Sequence, residues 1–429
     1  MIEILRKRYE FMNMNMRILT IRQILGMFTY RLVIPYSSLY ILALGGEKAQ
    51  IGLINSLLPL AGLIIFPISG YFTDRTGRVK LIALAGYLSA LTWLLYVFAP
   101  SWEWIAIGTL LRGFMVFQFP PSSAILADSM DPKTRGVGIA TMMTLSNAFA
   151  MFSPYIAAII IELYDINLGM RLLYTTVVLS QAINATLILK YLNETTTVKK
   201  SETKQNMLVI LKEAYTGIPE LIRQMPQSVK ALGALIGMGF IANAIAAPFW
   251  VIYVIEIIGL SSIEWGLILL LESILKTVLT YPSGMIADRY SKRLIVFVAM
   301  LLSLISLPSL ILAKTFTHVL LIRLVAGLAG TLLIPSSTAL LADYIPRNLR
   351  GRVMAAIGRG SFMIGATGGG IGGPGMGYIF TLPVMFASVL GGLLYSMNPI
   401  YPWLCILGTT IIQLLSVVFF IRDPKQVEV

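Results

Sequence analysis

The sequence predicts an all-α membrane protein with twelve transmembrane helices arranged as two pseudo-symmetric six-helix bundles. Three observations support this fold class: the composition, the apolar stretches long enough to cross a bilayer, and an internal repeat. Of the 429 residues, 57% are hydrophobic and only 12% are charged, whereas a soluble domain has about a quarter of its residues charged. Most of the chain therefore belongs in lipid, which excludes a soluble globular protein.

Twelve apolar stretches are candidates for membrane spans, because a bilayer core about 30 Å thick requires roughly 20 helical residues per crossing. We place them at residues 19–44, 49–72, 79–99, 103–127, 136–162, 168–192, 230–256, 263–287, 293–313, 316–342, 352–396 and 399–421.

These spans divide the chain into five parts. The predicted parts are a cytoplasmic N-terminus (1–18), a first bundle (19–192), a cytoplasmic linker (193–229), a second bundle (230–421) and a cytoplasmic tail (422–429). The linker is polar and basic at first and amphipathic afterwards. A short surface helix fits there, whereas a separate domain would have too few residues to bury a core.

The basic residues predict the orientation of the chain. With both termini inside, 25 Lys and Arg residues lie in or beside cytoplasmic segments, and only Lys48, Arg171 and Lys314 lie outside. Arg17 and Arg22, the second of which lies just inside the first span, are counted with the basic N-terminal segment. This positive-inside distribution predicts a multi-pass protein of the plasma or inner membrane, with both termini in the cytoplasm. It also makes lipid, rather than nucleic acid, the partner of the net charge of +13.

The eleventh stretch, 352–396, is about twice as long as one crossing needs. It contains the glycine cluster GATGGGIGGPGMGY, from Gly365 to Tyr378. One helix broken near Pro374 and a helix with an inserted re-entrant segment are both compatible with this pattern. The sequence leaves the choice open.

The two halves of the chain repeat each other. PISGYFTDRTGRVK in the first half corresponds to YPSGMIADRYSKR in the second, and the position numbers of Asp74 and Asp288 differ by 214. The offset between Asp128 and Asp343 is 215, and that between Arg135 and Arg350 is the same. Three anchors at one period indicate a duplication, and the even number of spans per half makes the repeats parallel.

The segment GYFTDRTGRVK resembles the loop signature of the major facilitator superfamily between helices 2 and 3, and the resemblance covers nearly the whole chain. It implies a secondary active transporter that moves a small organic solute by alternating access. It also implies that Asp74 caps the start of helix 11 near Gly351. By pseudo-symmetry, Asp288 would face the start of helix 5 near Gly136.

The charged loop residues are predicted to form a gate at the cytoplasmic ends of the helices. Arg75 and Arg78 can pair with Asp128, and Arg289 and Arg293 can pair with Asp343. Alternatively, these residues only determine topology. The gate candidates are Gly70, Asp74, Arg75, Gly77, Arg78, Asp128, Arg135, Gly284, Asp288, Arg289, Arg293, Asp343 and Arg350.

Charged residues inside the spans are candidates for the substrate and coupling cavity, because charge in a bilayer is costly. The candidates are Arg31, Arg112, Glu272, Lys276, Arg323, Arg359 and the polar Asn147. Five of the six charges are positive, which favours an anionic substrate if they face the cavity. Arg323 and Arg359 are expected nearer the surfaces, where long side chains can snorkel.

Two of these candidates have alternative interpretations. Arg112 lies near mid-membrane in helix 4; such an arginine resembles a motif of proton-coupled drug antiporters, although the rest of the motif is only partly present, and it could equally pair with another helix. Glu272 and Lys276, at positions i and i+4, can neutralise each other. Alternatively, Glu272 is the proton-coupling carboxylate, because it is the only acidic residue placed deep in the membrane.

The direction of transport stays open. Gly369, Gly373, Pro374 and Gly377 have the spacing of the family's antiporter signature but lie in helix 11 rather than helix 5. Export of drugs or amphipaths by proton antiport therefore competes with uptake of organic anions or sugars. One His and the absence of an HExxH motif leave no enzyme machinery. We expect a monomer that uses no metal or cofactor, with H⁺ as the candidate coupling ion.

Overall fold

The structure is a computed structural model that describes residues 13–73, 77–131, 134–195, 216, 218–345, 353, 356–357 and 378–421. Within these ranges the helical segments of the two halves make up twelve helices, which we number α1–α12. The predicted fold class is confirmed.

The first half contains α1–α6. Helix α1 runs through Met14–Val33, a 3-10 turn at Ile34–Tyr36 and Ser37–Ala43; α2 is Lys48–Thr73; α3 is Arg78–Val97; α4 is Trp102–Phe114, a 3-10 turn at Met115–Gln118 and Phe119–Asp128; α5 begins as Arg135–Ala150. The helical segment Ser153–Tyr191 is broken at Asp165, which has a positive φ of 65°, so that its first part completes α5 and its second part is α6.

The second half contains α7–α12 and follows a short helix, Ile218–Gln224, within the predicted linker. Helix α7 runs through Gln227–Ala246, a 3-10 turn at Ala247–Phe249, Trp250–Ile252 and a π turn at Tyr253–Ile257; α8 is Ser262–Arg289; α9 is Lys292–Ser306 with Pro308–Leu312; α10 is Phe316–Tyr344; the described part of α11 is Tyr378–Phe380 with Thr381–Met397; α12 is Tyr401–Phe420.

By length and composition alone, seven described segments are apolar enough to cross a membrane, and one of them, Arg135–Tyr191, contains both α5 and α6. Helices α1 and α8 are not among them because both carry charge in their interior. Helix α4 is not among them either, and the described apolar segment of α11, Thr381–Met397, is too short. The same charges define the candidate site.

The duplication is visible in the backbone. Helices α8, α9 and α10 begin at a constant offset of 214 from the starts of α2, α3 and α4. Gly45 and Gly259 are related by the same offset, and both have a φ of +82°, a left-handed conformation that glycine adopts without steric cost.

The offset between equivalent positions of the two halves increases toward the end of α11. Asp165 and Asn398 each accept a hydrogen bond from the backbone two residues later, at 2.6 and 2.9 Å, and each lies between the fifth and sixth helices of its half. Their offset is 233, which exceeds the repeat offset of 214 by 19. The second half therefore contains an insertion between the start of α10 and the end of α11. The predicted glycine cluster lies in this interval, but outside the described residues.

The bundle has two faces, which we call the basic face and the opposite face. The basic face carries the loops at Gly77, Asp131 and Ser291, and the opposite face carries those at Gly45 and Gly259.

The halves contact each other at two equivalent crossings near the opposite face, which we call the seam. A Cβ added at Gly52 of α2 would overlap the carbonyl oxygen of Ser388 and lie 2.9 Å from the backbone of Gly392 on α11. A Cβ at Gly266, the equivalent position of α8, would lie 2.6 Å from Ala158 Cβ and 3.0 Å from the carbonyl oxygen of Pro154 on α5. Only glycine permits such close approach of helices at both places.

Two further contacts lie on the same side, the first within the first half and the second between the halves. Tyr36 of α1 donates a hydrogen bond of 2.9 Å to the carbonyl oxygen of Pro154, beside the crossing at Gly266. The ammonium group of Lys48 on α2 lies 3.1 Å from the carboxylate of Glu256 on α7. The seam thus combines close packing with an ion pair between the halves.

Candidate functional site

Three charged side chains form a cluster between α8 and α10 in the second half. Arg323 contacts Oε2 of Glu272 through Nε, at 2.7 Å, and through Nη2, at 2.5 Å. Lys276 forms an ion pair with the other carboxylate oxygen of Glu272. Arg323 and Glu272 are 0% and 1% exposed, whereas Lys276 is 31% exposed.

The burial of Arg323 corrects the sequence prediction, which placed this residue near the surface with a snorkelling side chain. Its guanidinium lies over the rings of Trp250 and Trp265, 4.7 and 5.5 Å from their centroids, and both tryptophans are buried. Cation–π contact and the carboxylate together hold the arginine inward.

A glycine makes room for this cluster. A Cβ at Gly327 of α10 would lie 3.2 Å from Cγ of Glu272 and 3.5 Å from Cε of Lys276. Gly113, the equivalent position of α4, faces Leu58 and Ala61 of α2 instead. Glu272 therefore occupies the place that Leu58 occupies in the first half. The duplicated contact has gained charge in one half only.

Arg31 lies between the halves. Its Nη2 donates a hydrogen bond of 2.9 Å to Oδ1 of Asn147 on α5, and it is close enough to Glu272 on α8 for an electrostatic interaction. The hydrogen bond to α5 and the electrostatic interaction with Glu272 of α8 place the half-buried Arg31 where these two helices of different halves come together. The two predicted cavity residues Arg31 and Asn147 are thus brought together.

Arg112 packs against aromatic side chains of the first half. Its guanidinium lies 3.8 Å from the ring centroid of Trp93, and Nη1 donates a hydrogen bond of 3.2 Å to the hydroxyl of Tyr96. Trp93 and Tyr96 also pack on Tyr174 of α6, at 5.4 and 4.9 Å between ring centroids. Of the two interpretations of Arg112, the structure favours pairing with neighbouring helices.

Arg22 was missed as a site residue, because it was counted with the cytoplasmic N-terminus. Helix α1 begins at Met14, so Arg22 lies about 12 Å along the helix. It donates hydrogen bonds to Gln118, at 2.8 Å, and Ser122, at 3.1 Å, on α4. A helix start at Met14, earlier than the predicted start of the span at residue 19, would have placed Arg22 deeper within α1 and so identified it as a candidate.

On the basic face, one ion pair in each half joins the start of the third helix to the end of the fourth. Arg78 pairs with Asp128, as predicted. Lys292 pairs with Asp343, at 2.7 Å, and this corrects the prediction that Arg289 or Arg293 does so. Lys292 begins α9 as Arg78 begins α3, so the two pairs are equivalent.

Asp288, Arg289 and Gly284 of the second-half gate do not contact the described part of the first half. Arg293 donates a hydrogen bond of 2.6 Å to the carbonyl oxygen of Val418, while Asp288 and Arg289 are exposed. A Cβ at Gly136 or at Gly284 would meet nothing within 4 Å. Asp288 was predicted to face the start of α5 near Gly136. It does not contact that part of α5. The halves close at the opposite face, and this separates the ends of α5 and α8 on the basic face.

Three further gate candidates are described. Arg135 donates a hydrogen bond of 3.0 Å to the carbonyl oxygen of Ala127 and so ties the start of α5 to the end of α4. Gly70 lies in α2, and Gly77 precedes α3. Asp74, Arg75, Arg350 and Arg359 lie outside the described residues.

Glu194, at the start of the predicted linker, is a second residue that was missed. Its Oε2 accepts a hydrogen bond of 3.0 Å from the backbone of Val79, in the first turn of α3. Carboxylates are favourable at helix N-termini, where backbone N–H groups lack partners. Asn193 is held by Asn15 of α1 through reciprocal hydrogen bonds of 2.8 and 3.0 Å. The linker is therefore anchored to the gate loop of the first half.

The interior site as a whole is cationic. Among the described residues its only acidic side chain, Glu272, is buried beneath two basic partners, whereas Arg31 and Lys276 are partly exposed. Such an arrangement can bind an anion or hold a proton-accepting carboxylate. The described part of the chain holds no group of three or more metal-ligating side chains.

Comparison with known proteins places the chain among transporters. Two segments, residues 19–239 and 232–429, match the family model described as Major Facilitator Superfamily. The multidrug resistance protein MdtG of Salmonella heidelberg is 24% identical over 386 residues, which cover 87% of this chain and 91% of the relative. A multi-drug resistance efflux pump PmrA homolog of Lactococcus lactis is 23% identical and covers 82% of this chain and 85% of its own length.

Solved structures share the fold. A bacterial homolog of the human lysosomal transporter Spinster, inward-facing and unoccupied, has a TM-score of 0.68 at 15% identity over 96% of this chain and 98% of its own. The nucleoside transporter NupG has a TM-score of 0.64 at 14% identity over 95% and 98%.

Proposed function

Because the chain belongs to the Major Facilitator Superfamily, we propose that it is a secondary active transporter that moves a small organic solute across the membrane by alternating access. The relatives named for multidrug resistance and efflux support amphipathic organic compounds as its substrates. The positive-inside rule supports an orientation with the basic face toward the cytoplasm.

The observation that carries this proposal is the pair of equivalent crossings at Gly52 and Gly266. Each joins one half to the other, and both lie about 6 Å from the start of their helices near the opposite face. On the basic face, the matching ends of α5 and α8 are apart. A rocking motion of the two rigid halves would open the seam and bring those ends together, which exposes a central site alternately to the two sides.

The ion pairs fit such a motion. The pair Lys48–Glu256 joins the halves at the opposite face and is partly exposed, at 36% and 38%. Exposed pairs contribute about 0–1 kcal/mol, so this contact can break and re-form during each cycle. The pairs Arg78–Asp128 and Lys292–Asp343 lie within single halves and keep each half rigid.

We further propose proton coupling at Glu272, the only acidic residue placed deep within a predicted span. The names of the relatives support proton-driven export as the direction of transport. Uptake driven by the same gradient is the alternative.

Flux in proteoliposomes tests the function. Purified protein would be reconstituted with a pH gradient of either sign, and the movement of labelled tetraphenylphosphonium, p-aminohippurate and uridine would be measured. We expect at least one compound to move faster than in protein-free vesicles, with a rate that depends on the gradient. Movement equal to that of protein-free vesicles for all three would contradict the proposal.

A further inference from the structure

The partly exposed charges described in the interior site are all positive, and this selects a class of ligand. In the first half, Arg22, Arg31 and Arg112 make their described contacts to neutral groups: amides, hydroxyls and aromatic rings. In the second half, the negative charge of Glu272 is already matched by Arg323. The positive charge of Lys276 adds to that of the three arginines.

Arg31 and Lys276 belong to different halves, and both interact with Glu272. Arg31 reaches across from α1 to within electrostatic range of Glu272, and Lys276 contacts the same carboxylate from α8. Glu272 itself is covered, with 1% of its side chain exposed. A ligand in the centre of the bundle would therefore meet a guanidinium and an ammonium group, whereas the carboxylate lies behind them.

We propose that Arg31 and Lys276 bind the carboxylate of an organic anion, and that Glu272 is a built-in competitor from which Lys276 is released when the anion binds. The proposal rests on the transporter function given above and specifies its substrate class. Exchange of one carboxylate for another leaves the charge of Lys276 compensated throughout. Arg323 continues to neutralise Glu272, so no buried charge is left without a partner.

The geometry also explains why the two cations are not interchangeable with other basic residues. A guanidinium offers several N–H donors in a plane, and Asn147 holds that of Arg31 in place. The ammonium of Lys276 is a compact charge on a flexible stem, which suits a group that changes partners. A cationic ligand would have to displace both before it reached Glu272.

A matched series of probes tests the proposal. The compounds 4-phenylbutyrate, 4-phenylbutanol and 4-phenylbutylammonium share one apolar body and differ in charge. Their binding would be measured as the concentration-dependent shift in Tm of the full-length protein in a neutral detergent. We expect saturable stabilisation by the carboxylate alone, which weakens as the salt concentration rises.

Variants test the residues. Arg31→Met and Lys276→Met should each weaken binding of the carboxylate by about tenfold. Glu272→Gln should strengthen it, because the competitor is removed. Lys314→Met, which changes an exposed cation on the opposite face, is the control and should leave binding unchanged. Lys276→Met keeps the pair between Arg323 and Glu272, so it is expected to fold.

Stabilisation by the alcohol or the amine alone, or by none of the three, would overturn the proposal. So would equal binding by wild type and Lys276→Met. These binding measurements use no pH gradient and do not detect transport. Failure of the binding proposal can therefore be distinguished from failure of the transporter function, which the flux experiment tests. A protein that binds the anion but transports nothing would contradict the transporter function, not the site.

Discussion

Arg323 contacts a single oxygen of Glu272, Oε2, through both Nε and Nη2, at 2.7 and 2.5 Å. Both side chains are almost completely buried, in a part of the molecule that the bilayer surrounds. Charge buried in this way requires a partner, because desolvation of an isolated ion costs several kcal/mol. The pair is therefore the structural base of the site, and Lys276, which is more exposed, is the part that can respond to a ligand.

Removal of the carboxylate should destabilise the protein. Glu272→Gln leaves Arg323 buried without its counter-charge, and we expect a loss of about 3–5 kcal/mol. The double variant Glu272→Gln with Arg323→Gln removes both charges and should regain much of the loss. Titration of the folded protein with a denaturing detergent measures these differences. A double variant no more stable than Glu272→Gln alone would contradict this interpretation.

The same substitution tests proton coupling. If Glu272 carries the coupled proton, Glu272→Gln should abolish accumulation driven by a pH gradient but spare exchange of substrate between the two sides. Lys276→Met, which leaves the carboxylate present and paired with Arg323, is the matched comparison for gradient dependence. Flux and counterflow in the same proteoliposomes measure the two properties. Gradient-driven accumulation that persists in Glu272→Gln would show that the coupling site lies elsewhere.

Substitution at the seam should shift the conformation. Gly52→Val and Gly266→Val place methyl groups where backbone atoms of the opposite half already lie within 3.0 Å. We expect both variants to lose transport because the halves can no longer close near the opposite face. Gly408→Val is the control, since a Cβ there meets nothing within 4 Å.

Spin labels on equivalent exposed positions measure this shift. In a background with Cys405→Ser, one pair of labels at Glu103 and Thr317 reports on the opposite face, and a second pair at Lys80 and Leu294 reports on the basic face. In Gly52→Val, the first distance should increase and the second decrease. Distances in Gly52→Val that equal those of Gly408→Val would exclude the rocking motion.

Much of the fold could be predicted from the sequence because the bilayer restricts the possibilities. Span length, the positions of Lys and Arg, and the repeat are properties of the linear chain. The offset of 214 also relates Glu272 of α8 to Leu58 of α2, so the charge gained in one half is a property of the linear chain as well. The rotation of each helix about its axis cannot be read in the same way, and it decides which neighbours a side chain meets.

Two of the corrected predictions follow from that limit. Arg323 lies seven residues from the start of α10, about 10 Å along the helix, so its side chain could have reached the surface; the positions of Trp250 and Glu272 on other helices keep it inside. Lys292 and Arg293 are adjacent, but successive residues of a helix point about 100° apart. The offset of 214 between helix starts identifies Lys292 as the equivalent of Arg78, whereas its neighbour was predicted.

The two ion pairs of the basic face should differ in strength. In the pair Arg78–Asp128 the carboxylate side chain is 46% exposed, whereas in Lys292–Asp343 it is 15% exposed. Water screens the first pair more effectively, so Asp128→Asn should cost well under about 1 kcal/mol and Asp343→Asn about 1 kcal/mol or more. Exchange of the partners, Lys292→Asp with Asp343→Lys, should recover part of the second loss and keep transport. Unfolding at low and high salt measures both effects, and the loss from Asp128→Asn should disappear first as salt rises. An equal loss from the two substitutions at every salt concentration would show that burial does not set the strength of these pairs.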